Sequence, residues 1–216
     1  MSSNFDSNKE VKIVTADPSG LGLFGLAMVT LVASSQKLGF TSGVSLVLPW
    51  AVFLGAIAQL IASNYDAKKN NTFGMTAFGA YGLFWLGVAC TWLIQNGVFG
   101  EGLASAMDVK QLGVAYVGYL IFTLFMTIGA AGTNKVLFYI FVLIDFLFLG
   151  LSLSTLGIMP EFFHEVAAIA ELLIAILSFY GSAASVLNTH YGEVVLPVGG
   201  CLGKFKLDAK LKKAHS

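Results

Sequence analysis

Long apolar stretches alternate with short polar ones along this chain. Six stretches stand out, near residues 21–35, 44–63, 75–94, 112–131, 136–159 and 166–187. A bilayer core about 30 Å thick is crossed by about 20 mostly apolar residues in a helix. The first stretch reaches that length when its helix starts near Pro18 and continues to about Lys37. Polar punctuation separates the stretches at Gln36 to Gly39, Asn64 to Asn71, Gln95 to Gln111, Gly132 to Lys135 and Pro160 to Glu165. In hydrocarbon every backbone polar group needs an internal partner, so the stretches predict helices rather than open strands. They are also too long and too uniformly apolar for barrel strands, which alternate with period two. The pattern therefore predicts an all-α membrane protein, a bundle of six transmembrane helices over residues 17–188. Residues 1–16 and 189–216 are expected to be tails outside the membrane.

Composition agrees and narrows the classes. Hydrophobic residues make up 56% of the chain and charged residues 11%, with a mean hydropathy of +0.80. An ordinary soluble domain has roughly 25% charged residues, and a disordered chain has low hydrophobicity and high charge. Acidic and basic residues balance at 12 each, so no basic excess points to nucleic acid. No arginine is present, which removes the side chain best suited to bidentate carboxylate or phosphate capture. Residues 1–16 carry Asp6, Lys9, Glu10 and Lys12 without an apolar core, so no signal peptide is expected and the cell membrane is the default location.

Lysine placement predicts orientation. With the N-terminus cytoplasmic, six crossings place Lys9, Lys12, Lys68, Lys69, Lys135, Lys204, Lys206, Lys210, Lys212 and Lys213 inside, and only Lys37 and Lys110 outside. Ten against two predicts that both termini are cytoplasmic. The inner lysines then serve as topology and headgroup anchors.

Chemistry is sparse. His164, His190 and His215 lie outside the stretches and show no metal spacing, and Cys90 and Cys201 make no disulfide framework. No Walker sequence or strand–GxGxxG–helix context appears, so no cofactor, no ATP-driven pumping and no enzyme activity are expected. A site for an anion is expected to use neutral donors, such as Thr, Ser, Asn, Gln and Tyr side chains and helix N-termini. Weak binding of this kind suits permeation, where a solute must leave as readily as it enters.

The most informative segment runs from Asn70 to Trp85. Asn71 or Thr72 can cap the third helix, Thr76 follows one turn later, and Tyr81 falls two turns into the membrane. A hydroxyl there is either bonded to a packed neighbour or lines a path. Gln59, late in the second stretch among the small residues Ala51, Gly55 and Ala62, is either interhelical glue or a pore donor. Pro49 bends the start of that helix. Asp145 and Glu171 lie inside apolar runs, and an intramembrane acid is a functional candidate by default. For Asp145 the alternatives are a proton relay or substrate contact, a neutral acid bonded to a neighbouring helix, or an acid at a subunit seam. Glu171 is expected to reach towards the outer interface.

Several of these strings resemble the acetate uptake transporter family, also called the acetate/succinate–proton symporter or GPR1/FUN34/YaaH family. The carriers are Asp17-Pro18-Ser19-Gly20-Leu21-Gly22-Leu23, Asn71-Thr72-Phe73-Gly74 with Thr76-Ala77-Phe78, and Tyr81-Gly82-Leu83-Phe84-Trp85-Leu86. Phe122-Thr123-Leu124-Phe125-Met126, Val186-Leu187-Asn188 and Leu196-Pro197 extend the likeness over about residues 17–197. Asp17, Ser19 and Gly20 depart from the family's Asn-Pro-Ala-Pro-Leu-Gly-Leu. The resemblance implies a homo-hexameric ring with one solute path in each six-helix protomer. It also implies a hydrophobic neck, whose positions fall on Leu26, Tyr81 and Ile144, with Leu26 standing where the family usually has Phe. Candidate solute contacts are Gln59, Asn71, Thr72, Thr76, Asp145 and Asn188.

The reading that follows is transport of acetate and other small monocarboxylates, with succinate as a possible substrate, through a narrow hydrophobic-gated path. Channel-like conduction and proton coupling both remain open. The alternatives are a neutral-solute or ammonium channel and, from another class, a non-transporting membrane scaffold or sensor.

Overall fold

The computed structural model describes residues 15–202. Most of the expected N-terminal tail, the lysines Lys9, Lys12, Lys204, Lys206, Lys210, Lys212 and Lys213, and His215 lie outside the described residues. Six helices are long and apolar enough to cross a membrane: α1 (Ser19–Lys37), α2 (Leu48–Lys68), α3 (Thr72–Gln95), α4 (Val109–Ala130), α5 (Lys135–Thr155) and α6 (Pro160–Tyr191). No strand occurs among the described residues. A short helix, Glu101–Ser105, lies in the α3–α4 connection.

Helix starts follow local chemistry. Asn71 Oδ1 accepts from the Gly74 N–H at 3.2 Å, Asp108 from Lys110 at 3.0 Å, and Asn134 from Leu137 at 2.9 Å. Each satisfies a donor that the first turn leaves open. Pro160 opens α6 at a position that needs no N–H. Pro49 occupies the equivalent turn of α2, and residues Ala51–Ala58 behind it wind as a π-helix. At the exit from that segment the Gln59 N–H points to Ala56 O, while its side-chain amide donates to Gly55 O at 2.7 Å.

Two helices run longer than the sequence pattern implies. α2 continues through Asp66 to Lys68, where the sequence reads as polar punctuation. α6 starts at Pro160 and ends at Tyr191, so the boundary expected at residue 188 falls inside it. The segment beyond α6 folds back onto the bundle. Tyr180 Oη donates to Pro197 O at 2.8 Å, the Val136 N–H to Val198 O at 3.2 Å, and the Leu202 N–H to Ala131 O at 2.9 Å.

α1 and α6 run antiparallel in close contact. Ser182 Oγ donates to Gly20 O at 2.7 Å near one end, and Lys37 Nζ meets Glu171 Oε2 at 2.8 Å near the other. Glu171 is 1% exposed, so it does not reach out to an interface. Its carboxylate turns inward to a lysine that reads, in sequence, as an outer-loop residue. α1 also packs on α2 at Gly25, where a Cβ would land on Leu54 O; only glycine permits that approach. By contrast, α4 is mainly exposed, with Val114, Ile121, Leu124, Phe125 and Ile128 uncovered.

Candidate functional site

The chain alternates direction, so residues 15–18, the α2–α3 turn, the α4–α5 turn and the end of α6 gather at one end of the bundle, the terminal end. A cavity of about 380 Å³ opens there. Its mouth is polar, with Asp17, Ser19, Asp66, Asn71, Asn134, Ser185 and Asn188. Its depth is apolar, with Leu23, Phe73, Ala77, Phe78, Ile140 and Phe141 leading to Leu26, Tyr81 and Ile144.

Helical rise explains why these last three meet. Tyr81 and Ile144 each lie nine residues from the terminal end of their helices, and Leu26 lies seven. At 1.5 Å per residue that is about 10–14 Å deep in every case. Gln59, nine residues back from the end of α2, comes in at the same depth and also lines the cavity. Leu26, Tyr81 and Ile144 are 7%, 5% and 3% exposed, so all three are buried where the cavity ends.

Tyr81 is tightly held. Its ring lies 5.8 Å from Phe122, 5.9 Å from Phe141 and 6.4 Å from Phe148, the last pair stacked. Its Oη lies 3.0 Å from Thr123 Oγ1. Thr123 has one hydroxyl hydrogen, and that hydrogen goes to Tyr119 O at 2.7 Å. Tyr81 is therefore the donor in the pair, and its oxygen keeps its capacity to accept.

Gln59 is also an acceptor. Its amide nitrogen is engaged by Gly55 O, while Oε1 is buried without a partner. Reversing the amide would set two carbonyl-type oxygens against each other, so the orientation is determined by its surroundings. Asp66, seven residues on, lies on the same face two turns nearer the mouth. It is 1% exposed, takes a hydrogen bond from Asn71 Nδ2 at 3.0 Å on Oδ1, and leaves Oδ2 unpartnered. Oδ2 lies against Gly74, where a Cβ would collide with it.

Asp17 lies at the rim. Its Oδ1 accepts from the Ser19 N–H at 3.2 Å and the Ser19 hydroxyl at 2.9 Å, and Lys69 Nζ lies 3.4 Å away. Partial burial pushes the Asp17 carboxyl up, but the two Ser19 hydrogen bonds and the nearby Lys69 ammonium outweigh it. The result is a group held below the usual carboxylate range.

The structure thus brings together Leu26, Gln59, Asn71, Tyr81, Ile144 and Asn188 around one cavity, and leaves out Thr72, Thr76 and Asp145. The cavity-facing stripe of α3 is Phe73, Gly74, Ala77, Phe78 and Tyr81. At 100° per residue Thr72 and Thr76 fall about 160–200° from Gly74, on the opposite face. Asp145 is one residue past Ile144, about 100° round the helix, and points to α4, where its Oδ2 accepts from Thr127 Oγ1 at 2.7 Å. Asn188 has its amide engaged by the backbone: Nδ2 donates to Leu196 O, and Oδ1 accepts from the Val195 and Leu196 N–H groups. It shapes the mouth more than it offers free hydrogen bonds. The expected wall of neutral donors is replaced by one that includes two carboxylates, Asp17 and Asp66. Asp66 was detectable in the sequence as the residue seven on from Gln59, once α2 is extended to Lys68.

Among the described residues no group of three or more His, Cys, Asp or Glu comes together to hold a metal. Cys90 and Cys201 are free and exposed.

A family model described as the GPR1/FUN34/yaaH family matches residues 3–199. The chain is 34% identical over 185 residues to the succinate-acetate/proton symporter SatP of Escherichia coli (strain K12), covering 85% of this chain and 95% of that protein. It is 27% identical over 195 residues to acetate permease A of Emericella nidulans, covering 85% of this chain and 65% of that one. A solved structure of the bacterial acetate channel SatP superposes with a TM-score of 0.80 at 32% identity, covering 86% of this chain and all of that one.

Proposed function

Because this chain belongs to the GPR1/FUN34/yaaH family and is a multipass membrane protein, we propose that it carries acetate and other small monocarboxylates through a separate path in each protomer. The observation that carries the proposal is the funnel: a polar mouth narrowing to an uncharged neck of Leu26, Tyr81 and Ile144 at matched depth. A solute enters the mouth past Asp17, Lys69 and Asn71, with Lys69 offsetting one of the two carboxylates there. It then loses part of its water shell against Leu23, Phe73, Phe78 and Phe141. The methyl group of acetate lies favourably on those walls, while small inorganic ions lose hydration there with no compensating charge. Gln59 is the polar group at neck depth. Transport follows when Tyr81 and the facing Ile144 part.

The reading includes cytoplasmic termini, which rest on the lysine count, and a homo-hexameric ring, which rests on the family resemblance. The apolar exposed side of α4 suits either lipid or a neighbouring protomer. The test is uptake of labelled acetate into proteoliposomes with and without the protein. Uptake equal to that of protein-free vesicles refutes transport and favours a scaffold.

One observation favours a second reading. Gln59 Oε1 and Asp66 Oδ2 are buried acceptors without partners on two residues that line the cavity, and such acceptors, once uncovered, suit a solute that brings hydrogens, such as ammonium or an undissociated acid. Competition of ammonium with labelled acetate separates the two.

A further inference from the structure

Asp145 lies directly behind the neck without lining it. Ile144 turns into the cavity, and the next residue turns to α4. A run of hydrogen-bonding groups joins the two sides of the neck through α4. Tyr81 Oη meets Thr123 Oγ1, Thr127 Oγ1 lies 3.0 Å from Thr123 O, and the same Thr127 Oγ1 lies 2.7 Å from Asp145 Oδ2. Thr127 has one hydrogen and two acceptors within reach, so it cannot serve both.

The protonation state of Asp145 decides between them. With Asp145 protonated, its Oδ2–H donates to Thr127 Oγ1, and the Thr127 hydrogen goes to Thr123 O. With Asp145 ionised, the Thr127 hydrogen goes to the carboxylate and Thr123 O loses it. The other oxygen, Oδ1, is buried within the chain and has no partner. This also removes Asp145 Oδ1 from any seam between subunits. A neutral carbonyl oxygen tolerates that position, whereas a charged one needs water or a donor. A shift of the α5 turn carrying Ile144 and Asp145 would supply one and would open the neck from behind.

Tyr81 and Cys90 from α3, Tyr116 and Tyr119 from α4, and Glu171 and Tyr180 from α6 are the titratable groups inside the helices packed around α5. Glu171 is engaged by Lys37, and tyrosines carry no charge near neutral pH. His164 and Glu165 near the start of α6, and Lys135 at the start of α5, belong to the helix ends rather than to neck depth. Among the described residues no salt bridge reaches Asp145.

We propose that Asp145 is a positioning residue for the neck: its proton holds Tyr81 and Ile144 together through Thr127 and Thr123, and its loss loosens them. The proposal rests on the transport reading above. The test is labelled acetate flux in proteoliposomes at equal internal and external pH, from about 5.5 to about 7.5, with the flux of protein-free vesicles subtracted. Wild-type flux is expected to rise about fivefold or more with pH, in the usual range for coupling between sites. Asp145→Asn keeps the shape and the hydrogen bond to Thr127 without titrating, and is expected to stay flat at the low-pH value. Thr127→Val breaks the connection with the carboxyl intact and is expected to lose the pH step. Thr127→Ser, which keeps the hydroxyl, is expected to retain it. A wild-type-like rise in Asp145→Asn or in Thr127→Val overturns the proposal, as does a wild-type flux that does not change with pH. Should Asp145→Asn fail to assemble, the two Thr127 variants decide it. Absence of wild-type flux at every pH sinks the transport reading itself, an outcome distinct from flux with an unaltered variant profile.

Discussion

Lys37 Nζ and Glu171 Oε2 meet at 2.8 Å across α1 and α6, residues 134 positions apart in sequence, with the carboxylate almost fully enclosed. The pair joins the far ends of the two helices whose other ends are joined by Ser182 and Gly20. Removing one partner of a buried pair costs about 3–5 kcal/mol, because the survivor is left uncompensated, whereas replacing both with apolar residues is often neutral. Lys37→Met and Glu171→Leu singly are therefore expected to lower the unfolding midpoint in detergent sharply, and the double variant to recover most of the loss. A double variant as unstable as the worse single one would show that the ion pair is not what holds the ends together.

Tyr81 fills the neck with its ring and ties itself to α4 with its hydroxyl. Tyr81→Phe keeps the ring and is expected to change acetate flux by less than about tenfold, the effect of one hydrogen bond of about 1 kcal/mol. Tyr81→Ala opens the neck and is expected to raise acetate flux while admitting longer monocarboxylates that wild type excludes. A cavity of that size also destabilises by about 3–5 kcal/mol, so flux is measured per assembled protein. Unchanged flux and unchanged chain-length selectivity in Tyr81→Ala would remove this residue from the gate.

Gln59 presents its Oε1 at neck depth while its nitrogen is engaged by Gly55. Gln59→Leu removes the acceptor with little change of volume. At low concentration, flux of a solute that brings a hydrogen, ammonium or the undissociated acid, is expected to fall about tenfold, as for loss of one hydrogen bond in a dry site, and flux of the acetate anion to change less. Gln59→Glu supplies oxygens only and is expected to cut anion flux further while sparing any ammonium flux. Concentration dependence of uptake checks both, and equal loss for acetate and ammonium would show a packing role instead.

Asp17 has a lowered pKa in the folded protein, so its contribution to stability is present above its ordinary range and lost as pH falls through the folded value. Asp17→Asn is expected to flatten the acid limb of the stability profile below about pH 4, its unperturbed range. The effect near neutrality is expected to be small, since rim ion pairs contribute at most about 1 kcal/mol. Thermal midpoints of both proteins between acidic and neutral pH provide the check.

The six crossings were legible because the bilayer leaves a chain little choice, and the three residues that the family resemblance offered for a neck, Leu26, Tyr81 and Ile144, all line the one cavity. The cavity wall was less so. Asp66 sits among Asn64, Lys68, Lys69 and Asn70, and so reads as loop. Only the continuation of α2 makes it a buried cavity residue. Thr72 and Thr76 belong to the right segment but the wrong face, which helical phase alone could have revealed. The partnership of Lys37 with Glu171 has no sequence signal, because nothing local relates the fourth turn of α6 to the last residue of α1. The amide of Asn188 is engaged by a loop whose return path depends on tertiary packing.

Eight residues, Ala51 to Ala58, wind as a π-helix directly ahead of Gln59. A π segment holds more residues per revolution than the α-helix that follows it, so it sets the azimuth of everything downstream. Were those residues to tighten to ordinary winding, Gln59 and Asp66 would swing together around the axis of α2. The compass bearing of the cavity's acceptors is thus governed by a stretch of side chains that are entirely aliphatic or aromatic.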